Sequence, residues 1–124
     1  MPSNAVKFCA VVPCYGHSRV LANVLARIQP FIKDCVVVDD GSPSAEAEEI
    51  KSAVRSFLNV TLVALEKNKG KGGAVIAGLH KAAELGFTHA AQIDADGQHA
   101  IEDLPSFLGK SESHPEDCVC GYPI

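Results

Sequence analysis

The sequence lacks an excess of positive charge. Its 124 residues include 11 lysines and arginines against 15 acidic residues, which gives a formal net charge of −4. A chain with this balance has no overall field that attracts nucleic acid or an anionic membrane surface, so we expect no nucleic-acid partner. Any basic surface that binds phosphate must be local.

Long apolar runs are also absent. No stretch approaches the roughly 20 apolar residues that a membrane-spanning helix needs, and the longest runs, at 8–13 and 35–38, have the length of buried strands. The beginning of the sequence has no secretory signal pattern. We therefore expect a cytoplasmic protein, placed at the cytoplasmic face of a membrane only peripherally or through sequence outside these residues.

The five cysteines are an odd number and include no CxxC pair. Cys118 and Cys120 are one residue apart, and the other three lie in or beside apolar runs typical of strands. The pattern favours reduced, buried thiols over a disulfide framework or a metal site.

Strand-like apolar runs alternate with apolar residues at helical spacing. Predicted strands cover 8–12, 35–38, 60–65, 89–93 and 117–120, and predicted helices follow Ser18, Ser42, the loop 67–73 and residue 100. We predict an α/β fold with a Rossmann-like, mostly parallel sheet and helices on both faces. The length fits one domain, 1–124. Because no helix follows the fifth strand, we expect the N-terminal part of a longer catalytic domain.

Unusual polar segments follow four of the five predicted strands. They are PCYGH at 13–17, DDGS at 39–42, NKGKGG at 68–73 and DADGQH at 94–99. Ligands of open α/β sheets bind outside the carboxyl ends of the strands. The topology is therefore expected to bring all four segments to one edge.

Asp94 and Asp96 supply two hard oxygens, and Gly97 permits the turn needed to direct both at one cation. Mg²⁺ or Mn²⁺ bound by one or two carboxylates keeps positions open for substrate phosphates, and Gln98 adds an amide oxygen. The alternative from the residues alone is that both aspartates cap a helix and a loop.

The segment 67–73 places three lysines and three glycines at an expected helix start, where exposed N–H groups bind anions. It matches neither a Walker A loop nor a dinucleotide fingerprint, which removes support for ATP hydrolysis and NAD binding. A solvated turn is the alternative.

Asp39 and Asp40 can accept hydrogen bonds from a base or ribose, or form a turn and cap the next helix. Tyr15 offers a ring to pack against a base.

Together, the segments 11–15, 36–42, 68–74 and 94–99 resemble the family 2 glycosyltransferases of GT-A fold, the nucleotide-diphospho-sugar transferase type, from about Phe8 to Gly121. The DADGQH form is most similar to the polyprenyl-phosphate, or dolichol-phosphate mannose synthase-like, branch. The resemblance implies transfer of a sugar with inversion from a UDP- or GDP-sugar to an acceptor such as a polyprenyl phosphate or a glycan.

The resemblance also implies roles for particular residues. The residues implied to bind the nucleotide sugar are Pro13, Tyr15, Asp39, Asp40, Lys71, Asp94, Ala95 and Asp96, and those implied to bind Mg²⁺ or Mn²⁺ are Asp94, Asp96 and Gln98. Within the first set, Pro13, Tyr15 and Asp40 would hold the nucleoside and Asp39 would support them. No residue is identified as the catalytic base.

The sequence departs from the family pattern at two places. The family often has P-x-Y-N-E where this chain has Gly16 and His17, and V-x-G-S-R where it has 119–123, without the arginine. One alternative is a non-catalytic module that binds a nucleotide or a partner protein. A phosphoacceptor receiver domain needs its acidic pair after the first strand, and a sugar-nucleotide pyrophosphorylase needs a glycine-rich signature there.

Overall fold

The structure, a computed structural model, describes residues 7–16, 18–93 and 121–123, with only the backbone for residues 18, 71 and 121–123. The elements in chain order are β1 Phe8–Cys14, α1 Ser18–Ile28, β2 Cys35–Asp39, α2 Ser44–Arg55, β3 Val60–Ala64, α3 Gly70–Glu84, β4 His89–Gln92 and β5 Gly121–Pro123. The sheet order is β3-β2-β1-β4-β5. β1 to β4 are parallel, and β5 is antiparallel to β4. The predicted α/β class and mostly parallel sheet are confirmed.

The central strands are buried on both faces, because helices cover each side of the sheet. On one face Val12 joins a buried cluster with Leu25 of α1 and Ile50 of α2. On the other face Val11 joins a second cluster with Ala74 of α3. Successive strand residues point to opposite faces. Continuous apolar runs such as β2, which is buried throughout, are therefore what this architecture requires.

β1 continues through Pro13, although the sequence predicted that it would stop there. The Val11 carbonyl accepts a hydrogen bond from the Ile93 N–H at 3.0 Å, so residue 11 faces β4. The missing N–H of Pro13 faces the same side, beyond the last paired position at Val11 and Gln92. Proline costs no ladder hydrogen bond there, which is why the strand tolerates it.

α3 begins at Gly70, inside the segment predicted to be a loop. At its other end the predicted termination at Gly86 is confirmed. Gly86 has φ +93°, its N–H donates to the Ala83 carbonyl, and the Phe87 N–H donates to the Ala82 carbonyl. This pair of bonds is the Schellman arrangement that glycine favours at a helix end.

The end of the sheet includes a strand that the sequence did not predict. This strand, β5, comprises Gly121–Pro123. The strand predicted at 117–120 and the helix predicted near 101–108 lie outside the described residues. β5 lies at the edge of the sheet, where a strand can include a proline.

None of the helices in the described ranges has both the length and the apolar character needed to cross a membrane.

α3 packs against the sheet at a glycine. A Cβ on Gly78 would lie 3.0 Å from Val38 Cγ2 and closer still to Val11 Cγ1, both in the sheet. Contacts that close require the strands or the helix to shift. Gly78 therefore sets how near α3 lies to β1 and β2.

We expect Gly78→Ala to lower the free energy of unfolding by about 1–2 kcal/mol, because overpacking outweighs the better helix propensity of alanine. Gly72→Ala is the matched control, since a Cβ there meets nothing within 4 Å; it should be neutral or stabilising by up to about 1 kcal/mol. Urea unfolding measures both. Equal stability of the two variants would contradict the close approach.

The expectation of buried free thiols is confirmed for the cysteines that the structure describes. Cys9, Cys14 and Cys35 are free and buried. Burial, followed by the nearby charge of Asp34, raises the pKa of Cys9 to about 12. Burial is also the main reason that the pKa of Cys35 rises to about 12, with smaller effects of Cys9 and Asp34. Neither thiol forms the reactive thiolate at neutral pH.

We expect iodoacetamide at pH 8.5 to leave Cys9 and Cys35 unmodified in the folded protein, and to modify both in denaturant, as read by peptide mass spectrometry. Their folded pKa of about 12 exceeds the ordinary 9.0. Their contribution to stability is therefore present below pH 9 and is lost as pH rises toward 12. Rapid labelling of either cysteine in the folded state would contradict this burial.

Candidate functional site

The carboxyl ends of β1, β2 and β3 lie side by side. Cys14 pairs with Asp39, and Asp39 pairs with Ala64, so the three strands end at the same level. The segments that follow these strands are therefore neighbours, as the sequence predicted. This carboxyl edge of the sheet is where the candidate site lies.

Asp40 connects the ends of β1 and β2 to the start of α3. Its side chain is only 4% exposed, and its Oδ1 accepts a hydrogen bond from the Lys69 N–H at 2.7 Å. Its own N–H donates to the Cys14 carbonyl at 2.9 Å. Asp40 thus fixes the start of α3 to the ends of β1 and β2.

Asp39 shapes the turn that leaves β2. It is also 4% exposed, its Oδ1 accepts from the Ser42 N–H at 2.9 Å, and its carbonyl accepts from the Leu65 N–H at 2.9 Å. The alternative of turn formation is confirmed for this residue. Helix capping was wrong, because α2 has Pro43 at its N-cap position and no side-chain cap.

The two adjacent carboxylates carry more negative charge than their partners neutralise. Each accepts one bond from a neutral backbone N–H, and neither forms an ion pair within the part of the chain that the structure describes. Burying a carboxylate is costly unless it is paired or fully hydrogen-bonded. This edge therefore favours a ligand that brings N–H or O–H donors or a cation.

Gly41 allows the second and third loops to touch. Its φ is +72°, and a Cβ there would lie 2.5 Å from the Asn68 nitrogen and 2.6 Å from the Lys67 carbonyl carbon. Only glycine fits here, because other residues rarely adopt this φ and because the backbone of 67–68 leaves no room for a Cβ at position 41. The backbones of 41 and 67–68 are consequently in direct contact.

The start of α3 is open toward solvent. Lys69, at the N-cap position, makes no side-chain cap hydrogen bond, and the Gly70 N–H donates to Asn68 Oδ1 at 3.0 Å. A Cβ added at Gly70 or Gly72 would meet nothing within 4 Å. An anionic group can therefore approach the backbone of this first turn, which also includes Lys71.

Tyr15 and Pro13 differ in their exposure. Tyr15 follows β1 and is 49% exposed at the carboxyl edge, whereas Pro13 is buried within β1. The Gly16 N–H donates to Ser42 Oγ at 3.0 Å, which ties the first loop to the second. The structure therefore brings Tyr15, Asp39 and Asp40 to one edge.

The remaining predicted residues are not among those described. Asp94, Ala95, Asp96 and Gln98 lie outside the described residues, as does the side chain of Lys71. Ile93, the last described residue before them, is buried at the carboxyl end of β4. Within residues 7–16 and 18–93, no cluster of three or more histidine, cysteine, aspartate or glutamate side chains could hold a metal.

Sequence reasoning missed three contacts at this edge. These are the Lys69 N–H as the partner of Asp40, the packing of Gly41 against 67–68, and the Ser42 hydroxyl as the acceptor for Gly16. An aspartate followed by glycine and serine signals a side-chain-stabilised turn. No local signal identifies the partners, because they are 26 to 29 residues away.

The mostly parallel sheet is covered by helices on both faces, and it has buried carboxylates and a glycine-rich helix start at its carboxyl edge, where open α/β sheets bind their ligands. Residues 9–123 match the glycosyl transferase family 2. The chain belongs to this family, which excludes the receiver and pyrophosphorylase alternatives.

Curated relatives are similar over most of this chain. A UDP-N-acetylglucosamine–dolichyl-phosphate N-acetylglucosaminyltransferase of Methanococcus voltae is 32% identical and covers 92% of the chain. An undecaprenyl-phosphate mannosyltransferase of Micrococcus luteus is 30% identical and covers 83%. The chain spans 51% of the first relative and 43% of the second, about half of their lengths.

Solved structures share the fold. Residues 1–349 of S. aureus TarS superpose with a TM-score of 0.67 at 25% identity, and the match covers 89% of this chain and 33% of that solved chain. The glucosyl-3-phosphoglycerate synthase of Mycobacterium tuberculosis, solved with Mn²⁺ and UDP, gives a TM-score of 0.65 at 17% identity, covering 88% of this chain and 40% of its own. These likenesses confirm the predicted fold.

We expect Gly41→Ala to cost more stability than Gly16→Ala. Both glycines have φ +72°, so each variant bears a similar backbone strain of about 1–2 kcal/mol. The Cβ added at Gly41 would also collide with the backbone of 67–68, whereas a Cβ at Gly16 meets nothing within 4 Å. The difference in unfolding free energy should be about 1–3 kcal/mol. Equal losses in urea unfolding would show that the loops are not in contact.

Proposed function

We propose that this chain provides the donor-binding part of a nucleotide-sugar-dependent glycosyltransferase. Its membership in glycosyl transferase family 2 over residues 9–123 is the observation that carries the proposal. The geometry adds two buried carboxylates beside an exposed aromatic ring and an open helix start at one edge. That combination suits a ligand with a planar base at one end and phosphates at the other.

The nucleoside is assigned to Asp40, Asp39 and Tyr15, next to the buried part of β1 at Pro13. One oxygen of each carboxylate accepts a backbone N–H. The second oxygen of Asp40 is the acceptor that we assign to a base N–H or a ribose hydroxyl, since an ionised carboxylate only accepts. The half-exposed ring of Tyr15 provides a face for the base.

The donor diphosphate is assigned to the open first turn of α3, where Lys71 adds positive charge, together with Ala95, which lies outside the described residues. Asp94, Asp96 and Gln98 would hold Mg²⁺ or Mn²⁺. Two carboxylates and an amide oxygen fit these hard cations, and Ile93 brings the described chain to the same edge immediately before them. The bound cation would neutralise charge on the leaving diphosphate.

The proposed reaction is a single displacement. An acceptor oxygen attacks the anomeric carbon, the bond to the nucleoside diphosphate breaks, and the configuration inverts. The relatives from Methanococcus voltae and Micrococcus luteus are named for dolichyl-phosphate and undecaprenyl-phosphate substrates. These names favour a polyprenyl phosphate over a glycan as the acceptor. Because such an acceptor is a lipid, we propose that the protein acts at a membrane face, with the cytoplasmic face as the predicted side.

We expect isothermal titration calorimetry to detect binding of GDP or UDP by this chain in excess Mn²⁺. Asp96→Ala should abolish the dependence on Mn²⁺. Asp40→Asn should keep the fold, because an amide oxygen can still accept from the Lys69 N–H, but it should weaken nucleotide binding by roughly tenfold or more. The reason is that its NH₂ group faces the ligand as a donor instead of an acceptor.

No heat of binding for either nucleotide, with folding verified by circular dichroism, would contradict a donor site in this chain. Binding without any transfer or hydrolysis of a sugar nucleotide would instead favour the non-catalytic binding module. The same binding by Asp40→Asn as by the parent would overturn the assignment of Asp40 to the nucleoside.

A further inference from the structure

Ser42 makes two hydrogen bonds that connect two loops of the site. Its N–H donates to Asp39 Oδ1 at 2.9 Å, and its Oγ accepts from the Gly16 N–H at 3.0 Å. The first bond fixes the serine to a carboxylate that is 4% exposed. The second bond connects this serine to Gly16, 26 residues away in the sequence, and so fixes the loop after β1 relative to the loop after β2.

The second bond acts next to Tyr15. Gly16 follows the tyrosine directly, has φ +72°, and has no atoms around its Cβ position within 4 Å. The Cβ side of this residue is therefore open, and its N–H bond to Ser42 is the contact that connects it to another loop. On the other side of Tyr15, the Cys14 carbonyl accepts the Asp40 N–H at 2.9 Å.

Tyr15 is thus bracketed by two backbone contacts, and both partners belong to the segment 40–42. Its ring, being 49% exposed, receives limited support from packing. The direction of the ring depends on the backbone conformation of 14–16, since a side chain follows its own backbone. The Ser42 hydroxyl fixes the C-terminal end of that segment, because it accepts the hydrogen bond from the Gly16 N–H.

We propose that Ser42 is a positioning residue that holds the Tyr15 ring in place for a nucleobase at the carboxyl edge. Its use for a nucleobase rests on the proposed donor site, whereas its hold on Tyr15 does not. A hydroxyl at position 42 is required, because it accepts from the Gly16 N–H. Threonine retains that acceptor and alanine does not.

The composition of the chain offers a direct readout. It has no tryptophan and two tyrosines, so Tyr122→Phe leaves Tyr15 as the only strongly emitting side chain. In this background we compare the parent with Ser42→Ala, Ser42→Thr and the control Ser52→Ala. Ser52 is an exposed residue of α2, and the bond it accepts from Ser56 uses its carbonyl oxygen.

Time-resolved fluorescence anisotropy reports how freely the Tyr15 ring moves. We expect Ser42→Ala to lose anisotropy relative to the parent, and Ser42→Thr and Ser52→Ala to match the parent. Binding of GDP or UDP with Mn²⁺ should weaken roughly fivefold to tenfold in Ser42→Ala, the loss typical of one hydrogen bond, and should recover in Ser42→Thr. Circular dichroism verifies that every variant is folded.

The proposal is overturned if Tyr15 anisotropy in Ser42→Ala equals that in Ser52→Ala, or if Ser42→Thr fails to restore it. Unchanged nucleotide binding in Ser42→Ala would also overturn it. A parent that binds no nucleotide contradicts the proposed donor site instead, and the anisotropy comparison still decides whether Ser42 holds Tyr15.

Discussion

The hydrogen bond from the Lys69 N–H to Asp40 Oδ1 is the contact on which the candidate site depends. It joins the end of β2 to the start of α3 at 2.7 Å, across 29 residues of sequence. The carboxylate is buried, so this bond compensates part of the cost of removing the charge from water. Among the described residues, no other hydrogen bond joins the turn at 39–42 to the first turn of α3. The remaining contact between the two loops is the backbone packing of Gly41 against 67–68.

The site combines fixed carboxylates with negative charge that no ion pair among the described residues neutralises. One carboxylate oxygen of Asp39 and one of Asp40 each accept a hydrogen bond from a backbone N–H of the protein. These bonds fix both side chains before a ligand binds. Preorganised acceptors lose little conformational freedom on binding. The remaining acceptor oxygens and the open start of α3 belong to loops that contact one another. The loops that would bind the base and the diphosphate of a donor are therefore held together.

The sequence predicted the fold well because local patterns determine it. Apolar runs of strand length, such as β2, are possible only where both faces of a sheet are covered, and Gly86 marked the end of α3 correctly. Boundaries that depend on partners were less predictable. β1 passes through Pro13 because the neighbouring strand has ended there, and α3 starts at Gly70 although glycine is a poor helix former.

The placement of Asp39 and Asp40 was predictable, and their contacts were not. Their position at the carboxyl end of β2 follows from topology and a turn motif. That Asp40 bonds to the Lys69 amide and Ser42 to the Gly16 amide depends on how the loops pack in three dimensions, which no spacing encodes. Family membership then gave these residues a chemical context that their geometry alone leaves general.

The central claim, that the carboxyl edge is a nucleotide-sugar donor site, is tested most directly by amide chemical shifts. Titrating the ¹⁵N-labelled chain with GDP or UDP in Mg²⁺ should shift the amides of Gly16, Gly41 and Lys69 together and in a saturable manner. The amides of Asn59 and Thr88, at the opposite ends of the strands, should stay unchanged. Shifts confined to the opposite edge, or no shifts with either nucleotide, would contradict the account.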